Sequence, residues 1–399
     1  MGATSLRMKI AMIGQKGIPG TFGGVERHVE ELSKRLSHQG HDVFVFCRSW
    51  YTKPQEAYEG VRLVFTSSWK TKHLDAITHT FTSILQAARM HMDIFHLHGV
   101  GPALLAWLPK LLCPSAKVIV TFHCIDQHHE KWSLPARLML RLGEKLACTI
   151  PDLTIVVSKE LQQYCKKHYK KETLHIPNGT TIPCGQMAEK PLKPFGLTPE
   201  KYFLMCARLV KHKGAHLLIE AWREARRLHP GLTKDMKLAI VGGSAFTDAY
   251  VREIQALAKE DETIVLTGSQ SGKTLESLYA HCYAMVHPSW SEGLPIAVLE
   301  GMSYGKCVLA ANIPENQELI AIYGLQFENK NVTDLSEKII ALLEEPEQVQ
   351  LLGKQARLHV AQNYDWDDIA DTTHHFYEWL KMDQKHKPQF ENIHEKTLA

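Results

Sequence analysis

What the chain lacks narrows its class first. Nine cysteines are scattered from Cys47 to Cys307 without a C-x-x-C pair, which removes the usual signatures of a zinc site and of a disulfide framework. Such usage fits a reducing compartment, and a cytoplasmic location is expected. Apolar stretches such as 103–107 and 118–120 are short, far below the roughly eighteen residues a membrane span requires. The opening MGATSLRMKIAMIG carries no long apolar region with a cleavage site behind it, so no signal peptide is expected. Basic runs interleaved with aromatics and zinc-finger spacings are missing too, and nucleic acid is not an expected partner.

What is present describes a globular enzyme-sized chain. At 399 residues, 44% hydrophobic and 22% charged, two domains are expected. The net charge of +3 hides an asymmetry: residues 1–180 hold 23 Lys and Arg against 14 Asp and Glu, and the remainder 23 against 29. A basic first half points to an anionic partner, either a phosphate-bearing substrate or an anionic membrane face.

Short apolar runs alternate with amphipathic stretches along almost the whole chain. Strands are expected at 9–13, 42–46, 61–65, 94–98, 118–123 and 153–157, then at 202–206, 237–241, 263–266, 283–287 and 307–310. Runs such as IAMI, VIVT and LAIV are apolar throughout, as strands are when helices cover both faces of a parallel sheet. The fold class is therefore α/β, with two Rossmann-like doubly wound domains and ligands in the cleft at the strands' carboxyl ends. The expected division is 1–183, one Rossmann-like domain, and 184–365, a second. A helix at 366–383 is expected to pack back near the first domain, ahead of a polar tail at 384–399. The Pro-, Gly- and Lys-rich segment 175–200 reads as the linker.

Residues just after strands are the candidates for chemistry. Gly23 and Gly24 precede a helix, where bare amides at a positive end can approach phosphate. The spacing is not G-x-G-x-x-G, and the second strand ends in Cys47-Arg48 instead of an acid for a ribose, which weakens a dehydrogenase reading. His98 and His123 close two later strands, and an imidazole there can hydrogen-bond a sugar hydroxyl or stabilise developing charge. Arg208 and Lys213 lie on one loop, a fork and a point charge suited to phosphate. GSQSGKT (268–274) has three residues between its glycines where a P-loop needs four. Asp365 and Asp367 precede a helical pattern and suit capping better than metal binding.

The stretch HPSWSEGLPIAVLEGMSYG (287–305) sets two acids, Glu292 and Glu300, eight positions apart in apolar surroundings. A helix from about Pro295 would leave Glu292 in the loop before it and Glu300 in its second turn. Taken in order, GGVERHV, TFH, IPNG, ARLVKHKG, IVGG and PSWSEGLPIAVLE are similar to the motifs of the retaining glycosyltransferases of family 4, which have the GT-B fold. The segments around WKTKHLDAITHTF and TFHCIDQHHEKW resemble a bacterial surface-polysaccharide branch with rhamnosyltransferase-like members. Ala207 and Cys124 stand where the family often has glycine, Gly301 where it usually has alanine, and Gln127-His128-His129 where it often has an aromatic and an arginine.

The resemblance implies a metal-independent transferase that needs no cofactor beyond its donor. A UDP-sugar is expected first, with GDP- or dTDP-sugars as alternatives, and the acceptor is a glycan or lipid-linked glycan. It implies that Glu300 holds the donor ribose, Glu292 the sugar hydroxyls, and the Gly293 and Leu294 amides the diphosphate. Arg208 and Lys213 would neutralise the leaving diphosphate, Gly23 and Gly24 would close on it, and His123, with His98 second, would lie near the transferred sugar. A nucleotide-sugar epimerase of the same fold and a non-catalytic nucleotide-binding subunit are the alternatives. Trp69 and Lys70, in the basic half, suggest weak association with an anionic membrane.

Overall fold

The computed structural model describes residues 6–20, 23–71, 74–125 and 134–382. Gln127, His128 and His129, and the tail expected at 384–399, lie outside the described residues. The chain divides into two compact units, Met1–Asn178 with Trp366–Ala399, and Gly179–Asp365.

The first unit is built on a sheet of β1 (Lys9–Ile13), β2 (Asp42–Cys47), β3 (Ala57–Tyr58), β4 (Val61–Phe65), β5 (Ile94–His98), β6 (Lys117–Phe122), β7 (Leu153–Val156) and β8 (Leu174–His175). Its order is β3-β4-β2-β1-β5-β6-β7-β8, parallel throughout except for the β3–β4 pair. The helices are α1 (Gly24–His38), α2 (Asp75–Arg89), α3 (Val100–Ala103), α4 (Trp107–Leu112), α5 (Leu134–Thr149) and α6 (Lys159–Tyr169). A C-terminal helix, Trp366–Lys381, packs on α1. There Arg35 pairs with Asp367 at 2.5 Å, and His41 meets His374 at 2.8 Å.

The second unit holds β9 (Tyr202–Cys206), β10 (Lys237–Val241), β11 (Ile264–Gly268), β12 (Ala284–His287), β13 (Val308–Ala311) and β14 (Leu325–Phe327), in the order β11-β10-β9-β12-β13-β14. Around them run α7 (Ala215–Leu228), α8 (Pro230–Thr233), α9 (Asp248–Lys259), α10 (Gly272–His281), α11 (Ile296–Ser303), α12 (Pro314–Ile320), α13 (Val332–Glu344) and α14 (Pro346–Asn363). Buried Trp222 and Phe203 meet edge to face in its core.

Each sheet reverses its strand order once, between β1 and β5 and between β9 and β12. At these points neighbouring loops turn to opposite faces and open a crevice beyond the strand ends. The chain is tight at both. A Cβ on Gly14, after β1, would lie 2.6 Å from the His98 carbonyl oxygen, and one on Gly214 2.4 Å from that of Pro288. Both glycines have positive φ, +118° and +74°, which glycine adopts without strain.

The boundary between the units, Asn178 to Gly179, falls inside the expected linker, and its later residues are tied to the second unit. A 3-10 segment at Lys190–Phe195 packs on α10, and the carbonyls of Ala188 and Met187 bond Ser277 and His281. Residues 179–200 thus belong to the second unit.

Gly301, on α11, shows a local exchange of volume. A Cβ there would come within 2.5 Å of Met285 Sδ on β12. Alanine should gain up to about 1 kcal/mol of helix propensity and lose about 1–3 kcal/mol to overpacking. Gly301→Ala should thus be neutral or destabilising alone, yet stabilising in a Met285→Val background. Denaturant unfolding of the four proteins of this cycle would show the coupling.

Candidate functional site

The crevice of the second unit gathers most of the residues named above. Glu292 follows β12, and its buried carboxylate accepts from Lys213 Nζ and from His287 Nε2 at 2.8 Å. Burial pushes this carboxyl up, but Lys213 and His287 together hold it well below the usual carboxylate range. The loop carrying Lys213 is fixed to the loop carrying Glu292: Trp290 N and Ser289 Oγ both donate to the His212 carbonyl, at 3.0 and 3.2 Å. Arg208, at the start of the same loop, is half-buried and has no acidic partner among the described residues. A half-buried guanidinium without a carboxylate suits an anion that arrives with a ligand.

Glu300 lies in the second turn of α11 and accepts from Tyr279 Oη at 3.1 Å. Tyr279 stacks on Tyr304, with ring centres 5.7 Å apart. The helix starts where expected, within a residue of Pro295. Pro295 is the extended residue before α11, which begins at Ile296, because no proline N–H is lost where the chain is not yet helical. Gly293 and Leu294 therefore lie in the preceding loop, outside the helix's first turn.

In the first unit, β5 and β6 end at His98 and immediately before His123. Both are buried, and His98 Nδ1 lies 3.2 Å from His123 Nε2. His28, on α1, meets both rings edge-on, at 5.6 and 4.8 Å between centres. Its Nδ1 is 2.9 Å from Asn178 Oδ1. His96 lies against His98 with the rings tilted by 34° and is held by Thr121 and Tyr377. Burial lowers all four: His28 to about 4 despite its bond to Asn178, His96 to about 3, and His98 and His123 well below their ordinary value. These are neutral rings. They can exchange hydrogen bonds with a hydroxyl, and they are poorly placed to carry positive charge.

One ring nitrogen from each of His28, His98 and His123 lies within 4.8 Å of the others, the one converging set of metal-capable groups among the described residues. Within that set His98 is engaged by His123 and by Met12 Sδ, 3.5 Å away, so an ion would have to displace a hydrogen bond already made. Asp365 bridges to Thr180, and Asp367 serves Arg35.

Gly23 caps α1 at φ +109°, and Gly24 is its first residue. The positive end already holds a carboxylate: Glu26 is buried and accepts from Lys16 N at 3.1 Å and Lys16 Nζ at 3.3 Å. A diphosphate at Gly23 and Gly24 would have to compete with it.

Sequence reasoning missed His28, His96, Tyr279 and His287. A signal for His28 was available: with Leu32 and Leu36 it forms the buried i, i+4, i+8 row of an amphipathic helix. His287 was visible as a strand-terminal histidine five residues before Glu292.

Two doubly wound sheets with polar clusters at their switch points define a Rossmann-like GT-B architecture, and known structures agree. Sucrose-phosphate synthase from Thermosynechococcus elongatus superposes with a TM-score of 0.79 at 20% identity, covering 94% of this chain and 99% of that one. Anabaena Alr3699/HepE, in complex with UDP and glucose, gives 0.75 at 18% identity, over 93% and 100%. The O-antigen chain mannosyltransferase C of Escherichia coli is 24% identical over 94% of this chain and 99% of its own length. Residues 22–182 match the family described as Glycosyltransferase Family 4, and residues 189–359 that described as Glycosyl transferases group 1. The chain is a GT-B glycosyltransferase of the family 4 kind.

The charge state of Glu292 gives a pH test. A depressed carboxyl stabilises the fold above its unfolded pKa and loses that contribution as pH falls through the folded value. The stability gap between wild type and Glu292→Gln should be widest at pH 7. It should begin to close only below the ordinary carboxyl value of 4.5, where the unfolded chain's carboxyl protonates first, and vanish once the folded one is protonated too. Denaturant unfolding across this range would read it, and a gap independent of pH would contradict the assignment.

Proposed function

We propose that the chain is a retaining glycosyltransferase that moves a sugar from a nucleotide-sugar, a UDP-sugar foremost, to a glycan or lipid-linked acceptor at the inner membrane face, in cell-surface polysaccharide or glycoconjugate synthesis. The observation that carries the reading is the Lys213–Glu292–His287 constellation at the second unit's switch point, beside a half-buried Arg208 with no acidic partner among the described residues. The UDP and glucose held by Alr3699/HepE support the choice of donor, and the E. coli mannosyltransferase supports the glycan acceptor.

In this reading Glu300 binds the ribose and Glu292 the donor sugar's hydroxyls, while Gly293 and Leu294 shape the loop at the diphosphate. Lys213 leaves Glu292 for the phosphates as donor enters, and joins Arg208 in stabilising their growing charge. Glu292 has a binding role in this reading, and the reaction is a same-face substitution without a covalent glycosyl intermediate. The bond from the anomeric carbon to the diphosphate breaks, the acceptor oxygen bonds to the same face, and its proton passes to a donor phosphate oxygen. His123, neutral and held by His98, supplies a hydrogen bond to the reacting sugar. The basic side chains do the neutralising, and no metal is required.

A panel of radiolabelled UDP-, GDP- and dTDP-sugars tests the assignment. Slow donor hydrolysis favours the transferase, a new sugar nucleotide an epimerase, and binding without turnover a non-catalytic subunit. With the right donor, Arg208→Ala and Lys213→Ala should each lower kcat by about a hundred- to a thousand-fold, as loss of a transition-state charge contact does. Near-normal turnover in both would displace the diphosphate from this crevice. EDTA should leave the rate unchanged; a loss restored by zinc would instead implicate His28, His98 and His123.

A further inference from the structure

The helices that follow β4 form a layer with an unusual outer surface. From β1 the strands step one way to β2 and β4, and the other way to β5, β6 and β7. Right-handed crossovers therefore put α1 on one face of the sheet and α2 to α5 on the other. α2 packs on α3 and α4, and α3 on α5. Of eighteen large apolar side chains exposed among the described residues, ten fall between Trp69 and Leu142 on this layer. Trp69 itself is 68% exposed, at the mouth of an apolar groove of about 390 Å³ that it lines with Ile77, Phe81 and Leu105.

α5 carries the pattern most fully. Leu134, Leu138 and Leu142 form an outward i, i+4, i+8 row, 75%, 65% and 45% exposed. Arg137, Arg141 and Lys145 form a second row of the same spacing beside it. The opposite face is fixed inward: a Cβ on Gly143 would stand 2.2 Å from the Val100 carbonyl oxygen of α3. The helix's one carboxylate, Glu144, is fully buried and accepts from Tyr164 and Tyr169 at 2.9 and 2.7 Å. The single acid of α2, Asp75, is buried against Arg48 at 3.2 Å, and α4 has none. The three helices thus present leucine, tryptophan and cations and no exposed acid of their own, with Lys110 of α4 paired to Asp152 at 2.8 Å.

We infer that this layer seats on an anionic lipid bilayer, with the leucine row of α5 at the acyl boundary and the cationic row among the headgroups. The inference names the surface for the membrane-face reading above and rests on it. An apolar stripe flanked by Lys and Arg is the pattern of a helix lying in the interface plane, and no helix among the described residues is long and apolar enough to cross a membrane. A second copy docked symmetrically on this face would set the same cationic rows against each other, so charge favours lipid.

Flotation of the full chain with equimolar phosphatidylglycerol and phosphatidylcholine vesicles, against phosphatidylcholine alone, tests it. Wild type should float with the anionic vesicles only, and more weakly at raised salt. Leu138→Gln/Leu142→Gln should lower the bound fraction about tenfold at unchanged Tm, and Arg141→Gln/Lys145→Gln should do likewise. Variants that float as well as wild type, or a wild type that never floats, would overturn the surface. So would a dimer in sedimentation equilibrium that the leucine variant dissociates. Donor hydrolysis, which needs neither lipid nor acceptor, is read in parallel. Hydrolysis without flotation overturns the docking surface alone, whereas flotation without hydrolysis overturns the transferase assignment alone.

Discussion

A carboxylate taken out of water must be repaid by partners, and Glu292 organises its crevice around that requirement. Lys213 and His287 both reach one of its oxygens, which fixes the loop after β9 against the loop after β12. The glycine at 214 and the hydrogen bonds to the His212 carbonyl follow from the same closeness. A fully satisfied buried pair is costly to break from one side. A ligand that draws Lys213 away must therefore offer charge of its own, and a diphosphate does.

The first unit solves a different problem by different means. Its crevice is lined by imidazoles that burial keeps neutral, tied to one another, to Asn178, to Thr121 and to Tyr377. One unit thus offers fixed charge and the other fixed dipoles.

Much of this was legible in the chain. Continuous apolar runs marked nearly every central strand, because strands buried on both faces have no polar positions to confuse the reading. The short edges β3, β8 and β14 were not legible, since two or three residues carry no period. Arg208, Lys213, Glu292, Glu300, His98 and His123 stand at or soon after strand ends or on the following helix, where the topology puts ligand groups. Their partners were harder to see. Tyr279 reaches Glu300 from a helix that opens with a false P-loop, and His28 reaches His123 from nearly a hundred residues earlier in the chain. The composition of 175–200 marked where the units divide, but not the hydrogen bonds that tie its later residues to α10.

The C-terminal helix completes the first unit although the second lies between them in sequence. Tyr377 satisfies His96, Trp366 covers His28, and Lys381 pairs with Asp93 at 2.9 Å. On the ribosome, the first unit therefore emerges with part of its core open and a buried histidine unsatisfied. At about 5–20 residues per second, the missing helix follows only after roughly ten to forty seconds. During that interval the nascent chain exposes the surfaces chaperones recognise, and truncations near residue 365 would leave it there permanently.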